Sequence, residues 1–288
     1  MSFLNIRPSP IAGTWYSADS KQLSGIINHY LEEAIIPALP GEVVALVSPH
    51  AGYQYSGAVA GYAFKTIKDL SFNQVVVISP MHQYYPYPFI TSSHDAYHTP
   101  LGDLPVAKNT ISEINRRLKA HTGSELHPVA YDREHALEIE LPFLQCALNG
   151  DFDLVPIMLR DQSLENSKIL GHILAEVLED KSCLIVASSD LSHFYKEMIA
   201  NRLDQNILSA LEDFSPEGLF EVNERGEGQA CGLAAIATTL WAARALGADK
   251  VTLLKYDTSA STTGDRSSVV GYGAAAITRP FKPTEDII

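Results

Sequence analysis

Three histidines follow directly on three short apolar runs: His50 in VVALVSPHAGY, His82 in VVVISPMH and His193 in LIVASSDLSH. Neutral imidazole is the commonest protein metal ligand and the usual general base near neutral pH. If the three runs are strands of one parallel sheet, their C-terminal ends share a rim, and ligands of open α/β sheets bind at that rim. Imidazoles delivered there from distant parts of the chain can converge on one point. The expected chemistry is a metal site at a sheet edge.

His50 and His82 share a device: strand, Ser-Pro, then the histidine region. Proline lacks a backbone donor and stops a strand, and it biases the residue before it toward an extended form. Gly52 and Gly57 then allow a tight turn into a helix. The two histidines are 82 − 50 = 32 residues apart, about one βαβ unit, so their loops should be neighbours. The plain alternative is that each histidine only satisfies a loop at a strand end.

Other residues could complete the site. Asp190 in SSDLSH either caps the next helix or orients His193, which would act as acid or base beside the metal or serve as a ligand itself. Cys231 in GEGQACGLAAI sits at the start of a helix, where partial positive charge favours a thiolate. It could complete a His50, His82, Cys231 ligand set, or be an ordinary turn cysteine. Cys146 and Cys183 read as small core residues. His135 has Glu138 three residues on, which suits a pair that orients a ligand or a first helical turn capped by Asp132. Tyr53 and Tyr55 either line the pocket or pack. Asp265 and Arg266, in the small-residue segment TSASTTGDRSS, either reach the rim or belong to a plain loop. The remaining histidines lack a strand-end context.

The elements that would carry these groups are legible. Helices are expected at about 20–34, 57–67, 109–118, from 132 through Leu144, 164–178, 201–212 and 232–246, from apolar residues at helical spacing. Strands are expected at 42–47, 74–78, 153–159, 183–187, 250–257 and 269–277. Residues 86–106 read as irregular or hairpin-like. Strands alternating with helices indicate an α/β fold with a largely parallel central sheet flanked by helices. VVALV, VVVI and LIVA are solidly apolar, as strands buried on both faces must be. The last two strands are close enough in sequence to be antiparallel. No repeat or linker divides residues 1–288, so one domain is expected.

Composition excludes several classes. Acids outnumber bases 34 to 21, giving a formal charge of −13. That repels phosphate backbones and anionic membranes, so neither nucleic acid nor membrane is an expected partner. No secretory leader or membrane-length apolar run is visible. Three widely spaced cysteines suit a reducing, cytoplasmic setting. GxGxxG after the first strand, GxxxxGK[ST], GxSxG and HExxH are all absent, leaving nucleotide-binding and serine-hydrolase readings without support.

RPSPIAGTWY, VSPHAGYQYSG, ISPMH, YHTPLGDL, EHALEIELPFLQ, SSDLSH, ACGLAAI and SSVVGYGAAAIT occur in order from about Arg7 to Thr278. In these pieces the chain resembles the Memo family, called AmmeMemoRadiSam system protein B in prokaryotes. The resemblance implies a fold like the class III extradiol dioxygenases of the LigB type. Those bind Fe(II) through two histidines and a carboxylate, with another histidine as acid/base. Carried over by motif, His50 and His82 match the ligand histidines and His193, with Asp190, the acid/base. Cys231 falls where the dioxygenases place the carboxylate, which makes the set softer and brings copper or zinc into range beside Fe(II). The resemblance also implies association with radical SAM and AMMECR1-like proteins.

Two functions lead the expectations, with metal-assisted hydrolysis through a zinc-bound water as a third. One is a metal-dependent oxidoreductase acting on a small organic substrate or dioxygen, with His193 moving the proton. The other is a non-catalytic module that recognises a peptide or protein in the same cleft.

Overall fold

The computed structural model describes residues 4–281. In chain order its first half runs β1 (Ile6–Arg7), α1 (Ser20–Glu33), β2 (Glu42–Ser48), α2 (Tyr53–Lys65), β3 (Gln74–Pro80), β4 (Phe89–Ser92), β5 (Ala96–Thr99), β6 (Gly102–Pro105), α3 (Lys108–Thr122) and β7 (His127–Val129). A 3-10 turn at Glu138–Glu140 leads into α4 (Leu141–Ala147), β8 (Asp153–Leu159), α5 (Leu164–Leu178), β9 (Cys183–Ser188) and β10 (His193–Tyr195). The chain ends with α6 (Glu197–Glu212), α7 (Pro216–Glu224), α8 (Leu233–Ala245), β11 (Lys250–Thr258), α9 (Ala260–Thr263) and β12 (Val269–Arg279).

The main sheet is mixed. Its centre is four parallel strands in the order β2, β9, β3, β8. β12 joins β2 antiparallel and β4 joins β8 antiparallel, so both flanks reverse direction. β11 and β12 pair antiparallel, as their short connection requires. A smaller sheet has the order β1, β5, β6, the last two forming a hairpin inside the segment expected to be irregular or hairpin-like.

The parallel strands are solidly apolar because helices cover both faces. Residues 75–78 of β3 and 184–187 of β9 are fully buried. α8 is buried on nearly every side, which explains its mostly apolar sequence, broken only by Thr238, Thr239 and the terminal Arg244. It packs closely on α5 because Gly171 has no side chain; a Cβ there would stand 2.7 Å from Trp241 Cβ. Gly57 has a similar role. It lies inside α2, not in the turn before it, and a Cβ would meet the Tyr30 ring at 2.5 Å.

Three expectations are corrected here. The helix expected from Asp132 begins only at the turn of Glu138, and residues 131–135 are irregular. Pro49 does follow the end of β2, but Pro80 remains the last residue of β3, in register with Leu159. The β2 and β3 strands are not adjacent, because β9 lies between them. Two short elements, β10 and α7, had no periodicity long enough to read.

Candidate metal centre at the strand ends

His50, His82 and Asp190 each lie two residues beyond the end of a parallel strand: β2 ends at Ser48, β3 at Pro80 and β9 at Ser188. The shared offset puts all three on one rim. With β9 in the middle, Asp190 stands between the two histidine loops. Its Oδ1 accepts the backbone N–H of His50 at 2.8 Å. This buried carboxylate therefore fixes the backbone of His50. Among the described residues it neither bonds to His193 nor caps a helix; β10 follows it.

The third imidazole is His135, from the irregular segment before α4. Ring centroids are 5.5 Å apart for His50 and His82, 5.4 Å for His50 and His135, and 4.7 Å for His82 and His135. One ligand atom from each of the three lies within 4.8 Å of the others. His135, expected as a pocket residue, is thus a member of the metal-competent group. Trp15 covers it, with ring centroids 4.2 Å apart.

Hydrogen bonding determines which nitrogen each ring can offer. Ser188 donates its single hydroxyl hydrogen to the Ala136 carbonyl at 2.6 Å. At its 2.9 Å contact with His50 Nδ1 it must therefore accept. Nδ1 carries the proton, and Nε2 of His50 keeps a free lone pair. Glu134 does the same for His82. Its Oε2 accepts the His82 backbone N–H at 2.6 Å, and its Oε1 lies 2.9 Å from His82 Nδ1. Glu134 Oε1 also accepts from Ala136 N at 2.9 Å and lies 3.3 Å from His135 Nδ1. Carboxylates placed behind histidines in this way orient them toward a metal.

The protonation states suit the same role. Burial, reinforced by repulsion from His82, lowers His50 to about 3. Burial, with His50 and His82, lowers His135 to about 3. Both rings are neutral at physiological pH, as ligands must be. Burial also works against the charged form of His82, but the hydrogen bond and charge of Glu134, helped by Asp190, outweigh it and raise its pKa. Burial pushes the Glu134 carboxyl up, yet His82, the Ala136 N–H and His135 pull it down to about 2. Burial dominates at Asp190, raising it to about 6.

Cys231 immediately precedes α8's N-cap, Gly232, as expected. Its Sγ lies 3.1 Å from His50 Nε2. It is not among the three mutually close donors. Burial and the charge of Asp190 push its thiol well above the ordinary value. The helix terminus does not overcome them, and Sγ stays in contact with Nε2 of His50.

His193 begins β10 and lines the same cleft without joining the three-histidine group. Tyr55 lines the cleft too. Tyr53 is core: its hydroxyl donates to the Ile139 carbonyl at 2.8 Å. Asp265 lines the cleft mouth, while Arg266 turns to Glu197 at 3.4 Å.

Glu138 does not orient His135. It meets Arg7, whose Nη1 donates to Glu138 Oε2 at 2.5 Å. Arg7 also donates to both Asp132 carboxylate oxygens, at 3.0 and 2.8 Å, and to the Glu134 carbonyl at 2.9 Å. Its guanidinium lies 4.8 Å from the Tyr97 ring centre. This buried clamp holds the segment that carries Glu134 and His135. Glu134 and Ser188 were missed from sequence. Glu134 left one signal, an acid directly before His135, but its main partner is 52 residues away.

Fold and site together define an α/β protein with a histidine-floored cleft at the strand ends. The Memo-like protein family matches residues 7–276. A MEMO1 family protein of Nitrosopumilus maritimus is 33% identical over 273 residues, covering 93% of this chain and 98% of its own length. One from Methanopyrus kandleri is 30% identical, covering 95% and 99%. One from Aquifex aeolicus is 32% identical, covering 93% and 98%. The chain belongs to the Memo family, and its mixed sheet fits the LigB-like fold of that family.

Proposed function

We propose that this protein is a metal-dependent redox enzyme in which His50, His82 and His135 hold a divalent ion. The observation that carries the reading is the meeting of three imidazole donors within 4.8 Å, two of them on matched strand ends. The donor set fits such an ion: His50 and His82 each have a hydrogen-bonded Nδ1 partner, Glu134 stands 3.3 Å from Nδ1 of His135, and imidazole suits iron, copper and zinc. Fe(II) is the ion proposed first, with copper or zinc as alternatives. A bound ion with open positions would supply Lewis acidity or electrons to a small organic substrate or dioxygen.

The chain's own residues have separate tasks. Glu134 and Ser188 orient His82 and His50, and Asp190 fixes the His50 backbone. His193, in the same cleft but outside the ligand group, is placed to move a proton. Cys231 is a neighbour of His50 that would soften the donor set if it bound. Association with radical SAM and AMMECR1-like proteins belongs to this proposal as well.

The test is anaerobic purification followed by metal analysis of wild type, His50→Ala, His82→Ala, His135→Ala, Cys231→Ser and His193→Ala. The three ligand variants should lose metal and keep their fold. Cys231→Ser and His193→Ala should retain it, with altered oxygen reactivity in the latter. Full metal content in all three ligand variants would refute the set.

A further inference from the structure

The outer part of the cleft has a character that the histidine floor does not explain. The cleft has a volume of about 770 Å³. Exposed aromatic residues line it: Trp15 at 36%, Tyr55 at 38% and Phe194 at 75% exposure. Phe194 sits at φ 64°, in the left-handed region that bulky residues avoid. An apolar ring held in water on a strained backbone at a cleft mouth points to a ligand contact.

At the mouth the charge is one-sided. Among the described residues no lysine or arginine lines the cleft, its histidines lie on the floor and wall, and its carboxylates are Asp190 deep inside and Asp265 at the exposed mouth. Asp265 Oδ1 accepts from Ser267 N at 2.8 Å, which keeps the carboxylate ionised. Arg266 is drawn away to Glu197. The formal charge of −13 adds a long-range field that attracts cations and repels anions.

We propose that the outer cleft binds an organic ammonium ion carrying an aromatic or apolar body, with the cation at Asp265 and the body against Trp15, Tyr55 and Phe194. Ring faces attract cations as well as apolar groups, so the same walls serve both parts of the ligand. The positive charge would lie at the mouth, away from the ion-binding floor, and a neutral group at the other end of the molecule would reach the histidines. The proposal rests on the cleft being the substrate site but not on a metal being bound.

The experiment uses metal-free and zinc-loaded full-length protein at pH 7.5. 2-Phenylethylamine, 2-phenylethanol and 3-phenylpropionate are titrated by calorimetry and by tryptophan fluorescence. Trp15 is the responsive fluorophore, because Trp241 is buried. In the metal-free protein the amine should bind at least about tenfold tighter than the carboxylate. Asp265→Asn should weaken the amine about fivefold and leave the alcohol unchanged, and added salt should act in the same direction. Phe194→Ala should weaken amine and alcohol alike. Equal or tighter carboxylate binding, no binding of any probe, or unchanged amine affinity in Asp265→Asn overturns the proposal. Metal uptake is read separately, so an amine preference in a protein that takes up no zinc on loading would refute only the metal assignment.

Discussion

Glu134 holds His82 at two points: one carboxylate oxygen accepts its backbone N–H at 2.6 Å and the other lies 2.9 Å from its Nδ1. The residue thereby fixes both the position of the loop and the direction of Nε2. Replacing such a carboxylate typically lowers metal affinity by about 10–100-fold. Glu134→Gln is therefore expected to weaken zinc binding in that range while the circular dichroism spectrum stays native. Wild-type affinity in this variant would mean that the grip is irrelevant to the ion.

Proton competition should be confined to one ligand. His50 and His135 are held near 3, whereas His82 lies above the ordinary histidine value because Glu134 favours its charged form. As pH falls through the raised His82 pKa, a proton takes the place of the metal, so affinity falls with acidification and levels off on the alkaline side. Zinc titrations between pH 5 and 9 should show release of about one proton per ion at the acid end, falling toward none at the alkaline end. A flat profile, or release of three protons, would contradict the assigned states.

Arg7 is expected to be among the most sensitive positions for stability. It is buried with Asp132 and Glu138, at 2.8 and 2.5 Å. Removing one partner of such a group leaves buried charge uncompensated, at a cost of about 3–5 kcal/mol. Arg7→Met should lower the urea midpoint correspondingly. Arg7→Lys should recover only part of the loss, because an ammonium cannot reproduce the two-pronged contact with Asp132. A near-wild-type midpoint for Arg7→Met would show that the clamp contributes little.

Glu140 gives a pH signature of its own. Burial raises its carboxyl to about 8, and the charge of Asp190 pushes it further up. The folded state therefore binds this proton more tightly than the unfolded chain. Its contribution to stability is present at low pH and is lost as pH rises from the ordinary glutamate range to about 8. Glu140→Gln should remove that loss, so its melting temperature should gain on wild type steadily from pH 5 to pH 8.5. A constant difference across that range would rule out a buried neutral acid at this position.

The chain by itself determined the scaffold and part of the floor. Short, solidly apolar runs alternating with helical patterns read as strands covered on both faces, and a histidine just past such a run stands at the rim. That is why His50 and His82 were legible, along with the α/β class and the antiparallel C-terminal pair. Tertiary structure decided the rest. It inserted β9 between β2 and β3, so Asp190 secures the backbone of His50. It brought His135 to the other two imidazoles from an irregular segment whose residue spacing points to a helix. It sent Glu138 to Arg7, 131 residues away in sequence, and left Glu134 to orient His82. Such partners are chosen by packing and by the need to neutralise buried charge. Those forces act between segments that only the folded chain brings together, whereas strand and helix patterns are set by neighbours along the chain.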